Sequence, residues 1–571
     1  MKPRRARQLL IAASLLALLA ALCACWVIPY RLRFQGQGCE YTFGYVGDEY
    51  NYAQQMQPFL PGATAANPVN GFGDKRIVSP FLVVDICRLL LTVTGMEITT
   101  FVWTWRLAAP VALAAVLFWQ ARAAVPARRK FWALPLALAL TAAALPALYC
   151  VYDLVTVFPP LQGFLNRVPT NIEYLLAVAL ACALLLFLQR PAIRSGVLLA
   201  LLSAALVYLR PLAVLPWSLT VMGCVLFPVL RRETPLRVLA VVGGLFLAVL
   251  LPWFLIVLHN DSVPIYRQMM LRWFPPAPYV VHPRWPLFIC LAALLGVAAG
   301  FLGSWRRWVA VVSAAVMLAL PFLPGLMSQS VQLTLFDRFG CYYLVVLVCV
   351  AMLGIGQYAQ RWCGRRALAS VTRTLACLIV LSFGCAAALF ARNLTYDFGA
   401  HGGPYPYAVQ ELQYAQAYRW VAENTPANSL FLLDDGRDWS QAPLDDATLQ
   451  EWQRDMMIEE DLFPIIARRR RVYTNWLFTW GVSNQELQDL ALLQRGTFGF
   501  RGTAIWKFEA GTYKTVLKKY LPQYIFWRKT APIPRGFASN LQPLSEVVYS
   551  DPVCQIWKLD YHKPPAEQAE R

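Results

Sequence analysis

The chain has 571 residues, 58% hydrophobic and 15% charged, with a formal net charge of +19. Soluble domains carry about a quarter charged residues, so this balance excludes an ordinary soluble protein and places the chain in the membrane class. The basic excess does not point to nucleic acid: many Lys and Arg residues cluster in short connections between apolar runs, and no RNA- or DNA-binding module is visible.

The N-terminus reads MKPRRAR and leads into an apolar stretch from Leu9 to Ile28. A basic start and an apolar centre also describe a cleaved signal peptide, and Leu22-Cys23-Ala24-Cys25 resembles a weak lipoprotein cleavage box. The run is long enough to span and many more follow, which favours an uncleaved first helix. Further candidate spans are 101–121, 132–150, 172–189, 195–210, 212–230, 236–258, 286–303, 307–323, 340–357 and 372–391. With the first they make about eleven, each near the length that crosses a ~30 Å hydrocarbon core. Alternate connections carry Arg122, Arg128, Arg129 and Lys130; Arg190 and Arg194; Arg231, Arg232 and Arg237; Arg306 and Arg307; and Arg361, Arg365, Arg366 and Arg373. All fall on the side of the basic N-terminus, as the positive-inside rule requires of the cytoplasmic face. An odd number of spans then leaves the C-terminus outside.

Residues 77–94 test this parity. They are apolar enough for a twelfth span but carry Asp85 and Arg88, three apart and so on one helical face. Counting them as a crossing would place the RAAVPARRK loop outside, so the expected structure is an amphipathic helix on the outer membrane surface. A true span with a miscounted neighbour is the alternative.

The expected organisation is an α-helical polytopic membrane domain over 1–391 and a small extracytoplasmic α/β domain over 392–571. In the tail, YAVQELQYAQAYRWVAENTP reads as an amphipathic helix closed by a Pro turn and NSLFLLDDG as a strand. SNQELQDLALLQRG predicts a helix with a Gly stop, TYKTVLKKYLPQYIFW a helix then a strand, and VCQIWKLD a last strand. The run Arg468 to Arg471 reads as a solvated or headgroup-facing turn. Of the 14 cysteines, Cys150, Cys182, Cys224, Cys290, Cys349, Cys377 and Cys385 fall inside apolar runs and read as small hydrophobes. Cys39 and Cys554 should lie outside the membrane, where a pairing is open to them. No zinc spacing appears.

The candidate chemistry sits in the first outer loop, 30–100, at Gly47-Asp48-Glu49-Tyr50-Asn51-Tyr52. Adjacent carboxylates at a membrane surface are costly unless water, a partner or a substrate satisfies them. A solvated turn is the plain alternative.

The acidic pair after the first span (GDEYNYAQQM), the helix beginning SPFLVVDICRLL, the string of spans and the outer tail together resemble the GT-C class of membrane glycosyltransferases. The closest likeness is to the protein mannosyltransferase and lipid A aminoarabinose transferase group. The tail passage YRWVAENTPANSLFLLDD is similar to a Trp-x-x-x-x-Thr-Pro passage found after the last span in such proteins. The resemblance implies a polyprenyl-phosphate-linked sugar donor, a glycan, lipid or protein acceptor, and Asp48 as the acid that activates the acceptor hydroxyl, with Glu49 beside it. A carboxylate suits that task because the hydroxyl becomes much more acidic as it attacks an oxocarbenium-like carbon. One base opposite the leaving group predicts inversion, and no second carboxylate is assignable as a nucleophile.

The lipid phosphate calls for cations, and arginine's planar fork suits phosphate oxygens. Candidates are Arg167, Arg338 and Arg210, then Lys75 and His282, with Arg272 and Arg284 behind them. For each, a snorkelling side chain at a helix end is the plain alternative, and Asp337 offers Arg338 an internal partner. No cofactor is indicated. Asp48 and Glu49 are a thin oxygen set for a divalent ion, which Asp153 would have to supplement. The competing function is a transporter or flippase for a lipid-linked glycan or small solute. Internal repeats and charges at mid-membrane depth would favour it, and neither is evident. A scaffold whose outer domain binds a partner is a third class and leaves GDEY unexplained.

Overall fold

The computed structural model describes residues 53–58, 60–61, 76–78, 82–124, 168–189, 191–209, 214–231, 235–267, 289, 293, 304–319, 411–434, 462–472, 483–498, 505–529, 533 and 541–562. The apolar segments 9–28, 132–150, 340–357 and 372–391, and all of 286–303 but two residues, lie outside them.

Seven helices come first: α1 Leu82–Thr94, α2 Ile98–Ala124, α3 Val168–Gln189, α4 Ile193–Leu209, α5 Val214–Leu230, α6 Leu236–Asp261 and α7 Ser304–Ala319. Among the described residues, α6 alone is long and apolar enough to cross a membrane. Leu247, Leu251, Phe254, Leu255 and Leu258 on it are all exposed. α3 and α4 form a tight antiparallel pair, and α4 runs parallel to α6. A Cβ on Gly196 of α4 would lie 2.3 Å from a methyl of Val242, so glycine is what lets those two backbones approach. Further along, Pro252 interrupts α6, and the Tyr208 hydroxyl enters the gap. It donates to the Val249 carbonyl at 2.8 Å and accepts from the Trp253 N–H at 3.1 Å, standing in for a helical bond. On the other side, the Trp308 indole of α7 donates to the Gly223 carbonyl of α5 at 2.7 Å.

α1 and α2 meet at an elbow. Their axes differ by 117°, and Gly95 between them takes φ +62°, a left-handed value that ends α1 without the strain a side chain would bring. Thr94 Oγ1 donates back to the Leu90 carbonyl at 2.7 Å and accepts from Met96 N–H at 3.3 Å.

The tail forms three layers around one mixed sheet. In chain order its elements are α8 Ala415–Asn424, β1 Leu430–Leu433, α9 Phe463–Ile466, β2 Arg470–Arg471, α10 Asn484–Phe498, α11 Ile505–Tyr520, β3 Tyr524–Arg528, β4 Ser545–Ser550 and β5 Cys554–Leu559. The strand order is β2-β1-β3-β5-β4, with β1 parallel to β2 and β3, and β5 antiparallel to β3 and β4. Strand alternation sorts the side chains. Leu430, Leu432, Ile525, Trp527, Trp557 and Leu559 join one core with α10 and α11. Phe431, Leu433, Tyr524, Phe526, Cys554 and Ile556 join another with Tyr414, Tyr418, Val421 and Phe463. β1 and β3 are therefore buried on both faces, as parallel strands covered by helices are.

Two local expectations change. Gly496 does not stop α10, which runs on to Phe498. It is the contact point for the fully buried Tyr513 of α11: a Cβ there would fall 2.2 Å from the ring. The basic run is not a solvated turn. Arg469 is buried and caps α8, donating to the carbonyls of Ala422 (2.8 Å) and Thr425 (2.6 Å) and to Thr425 Oγ1 (3.0 Å). Arg471 is buried in β2, while Arg468 stays exposed at φ +52°. Cys554 is a buried free thiol in the sheet, its Sγ 3.5 Å from Asp551 Oδ2, and Cys39 lies outside the described residues.

Two outcomes follow. Gly496→Ala overpacks a site that cannot give, costing about 1–3 kcal/mol, more than the ~1 kcal/mol alanine gains over glycine in a helix. Thermal denaturation of the purified full chain should show the lowered midpoint. Burial pushes the Cys87 thiol up to about 12 and raises that of Cys554, so both stay protonated at neutral pH. Peptide mapping after maleimide treatment of the native protein should find both unmodified, and both labelled after denaturation.

Candidate functional site

Asp48, Glu49, Lys75, Arg167, Arg210, His282 and Arg338 all lie outside the described residues, as do Asp153, Arg272, Arg284 and Asp337. The chain that adjoins several of them is described. Ala53 to Pro58 follows the acid pair, Arg76 to Val78 follows Lys75, α3 begins one residue after Arg167, and α4 ends one residue before Arg210. The antiparallel α3–α4 pair and the parallel α4–α6 pair put the start of α3 and the ends of α4 and α6 at one end of the helix group. α1 packs against α3 and α4.

Three anchors build this end. The first is Arg88, whose side chain is 6% exposed. Its Nε donates to the Gln55 carbonyl at 3.2 Å and the Gln57 carbonyl at 3.1 Å, and Nη2 donates to Gln55 again at 2.6 Å. Nη1 donates to Asp85 Oδ1 at 2.8 Å, the pairing their spacing on one helical face allows. Burial is the larger influence on both partners. It raises the Asp85 carboxyl against the pull of Arg88 and lowers the guanidinium against the support of Asp85.

The second anchor is Asn260, fully buried at the end of α6. Its amide accepts from Val78 N–H at 3.0 Å and donates to the Val78 carbonyl at 2.8 Å, so one side chain holds a residue of chain 182 positions away by both backbone groups. Beside it the His259 Nε2 meets the Arg76 carbonyl at 2.9 Å, which requires the proton on Nε2.

The third anchor is apolar. Val84, Cys87 and Leu91 on the inner face of α1, Ala53 and Met56 after the acid pair, and Ile98 and Val102 at the start of α2 belong to one buried cluster with Tyr418, Phe463, Ile465 and Ala467 of the tail. The tail is thus seated on the α1–α2 elbow and on the segment that follows Glu49. An exposed ion pair, Arg468 to Glu97 at 3.5 Å, lies near this seam and adds little. The other side of α1 is different: Ile86, Leu89, Leu90 and Val93 are all exposed, Val93 by 76%.

A second polar group lies at the carboxyl ends of β1 and β3, where open α/β sheets hold ligands. Here the charges satisfy one another. Arg528 pairs with Glu411 and lies 4.8 Å from the Tyr414 ring centroid, Tyr418 donates to Glu411 Oε2 at 2.7 Å, and Arg528 N–H donates to Asp434 Oδ2 at 3.0 Å. This cluster holds the sheet to α8.

The sequence placed Asp85 and Arg88 on one helical face but did not show that Arg88 reaches the chain after the acid pair. It missed Asn260 altogether. The available signal for Asn260 was an amide at the end of an otherwise apolar helix. No protein-family model matches the chain, and no curated protein matches it.

Asn260→Leu removes two hydrogen bonds worth about 1 kcal/mol each. Opening of residues 76–78 should rise roughly 30-fold at 1.4 kcal/mol per decade, and limited trypsin digestion should cut after Arg76 correspondingly faster.

Proposed function

We propose that this chain is a polytopic membrane protein of GT-C-like architecture that transfers a sugar, with inversion, from a polyprenyl-phosphate carrier to an acceptor on the outer side of the cytoplasmic membrane. The supporting observation is α1. Its inner face is locked to the chain following Asp48-Glu49, and its outer face exposes Ile86, Leu89, Leu90 and Val93. A row of exposed apolar side chains on a helix suits the acyl–headgroup boundary. α6, joined to the same loop through Asn260, exposes apolar side chains along its length, which suits lipid and not water. In this reading the acid pair, just ahead of the segment bound to α1, works at that boundary, where a lipid-borne donor and an external hydroxyl can meet.

In this reading Asp48 accepts the acceptor's proton as the new C–O bond forms at the anomeric carbon. The electron pair of the old C–O bond leaves with the polyprenyl phosphate. Glu49 adds negative charge beside the base. Arg167, Arg210, Arg338, Lys75 and His282 are the cations proposed for the departing phosphate. No cofactor is indicated for the step.

The test is transfer of labelled sugar from polyprenyl-phosphate donors by the purified chain in detergent. Asp48→Asn should lower the rate about 10²–10⁴-fold, the usual worth of a general base, and the product should have the opposite anomeric configuration to the donor. Movement of a lipid-linked glycan across vesicles without transfer would replace this reading with a transporter.

A further inference from the structure

We propose that Arg88 is a positioning residue for the transfer reaction: by bridging the Gln55 and Gln57 carbonyls from the buried face of α1, it fixes the segment that directly follows the acid pair. The inference rests on the reading of Asp48 as the base.

The choice of residue is the first argument. Filling space between α1 and residues 53–57 needs only an apolar side chain, and Val84, Cys87 and Leu91 already do so on the same face. A guanidinium taken out of water is expensive, and swapping such a group for well-packed apolar residues is often neutral or stabilising. Its presence here is better explained by geometry than by stability. The planar fork meets acceptors from two different residues at once while Asp85 holds the remaining nitrogen at 2.8 Å. An ammonium group has no such fixed plane and cannot hold three acceptors in this arrangement.

The second argument is reach. Gln55 lies seven residues after Asp48, and Ala53 and Met56 on either side of Gln54 and Gln55 are buried in the core cluster. The apolar contacts keep this turn against α1, but packing alone permits sliding along the helix. The bonds to Gln55 and Gln57 set the register. Reactions of this kind are sensitive to it, since a displacement of about 1 Å at the reacting groups costs roughly 100-fold in rate.

The experiment compares wild type, Arg88→Lys and Arg88→Met in the full chain, with two readouts. Amide hydrogen exchange over residues 53–58 should quicken at least ten-fold in both variants, with exchange over α10 and α11 unchanged. In the transfer assay kcat should fall about 10–100-fold while KM for the lipid-linked donor changes less than about three-fold. Lysine should not rescue, because charge without the fork is not enough. Unchanged exchange in Arg88→Met overturns the clamp whatever the protein's activity. Faster exchange with undiminished kcat, or full rescue by lysine, overturns the positioning role. A wild-type chain that transfers nothing while exchange responds as expected overturns the transferase reading itself, and the positioning role with it.

Discussion

Helix α1 is apolar around most of its circumference, and one partner cannot satisfy it. Thirteen residues present Val84, Cys87 and Leu91 to one side and Ile86, Leu90 and Val93 to another. The inner side is consumed by Ala53, Met56 and the tail, so the tail's second core and the first loop become a single buried unit. The outer side keeps its exposure, and in the proposed reading the lipid surface takes it up. The elbow at Gly95 follows from the same constraint. A straight continuation into α2 would carry the inner face away from the tail, and the left-handed glycine turns the chain instead.

This arrangement gives the tail a physical role beyond its own stability. Its cluster residues Ile465 and Ala467 stand at the start of the basic run, whose Arg469 caps α8 at Thr425. The Thr-Pro passage after Trp420 is thus the point where α8 ends, where Arg469 grips, and from which β1 departs. A tail held on a flexible tether would leave the inner face of α1 wet. The packing seen here couples the acid-bearing loop to the α/β layer through apolar contacts, with the Arg468–Glu97 ion pair at its edge.

Much of this was legible in the chain. LFLL and YIFW are short apolar runs bounded by turn residues, and both are strands covered on two faces. The spacing of Asp85 and Arg88 put both on one helical face, and the two pair there. What escaped was whatever depends on a distant partner. β4 (SEVVYS) is a half-exposed edge strand with a bulge near Val547, and it carries no apolar alternation to announce it. Gly496 has the look of a stop signal, and only the ring of Tyr513 explains why it sits inside a helix. The arginines at 469 and 471 read as solvated because charge usually is; nothing local shows that Arg469 finds carbonyls more than forty residues away. The acid pair and the candidate cations were legible as residue types, but their mutual geometry lies outside the described residues.

The anchors share a further property. Arg88 binds the carbonyls of Gln55 and Gln57, Asn260 binds both backbone groups of Val78, His259 meets the carbonyl of Arg76, and Arg469 meets those of Ala422 and Thr425. Each addresses main chain, which every residue presents alike. The bonds from Arg88 and Asn260 therefore do not depend on which side chains Gln55, Gln57 and Val78 carry. In the proposed transfer, where an acid must stay fixed while an acceptor is selected, that independence is what the chemistry needs. The described parts of the first loop are thus held by Arg88 and Asn260 through groups that every sequence presents.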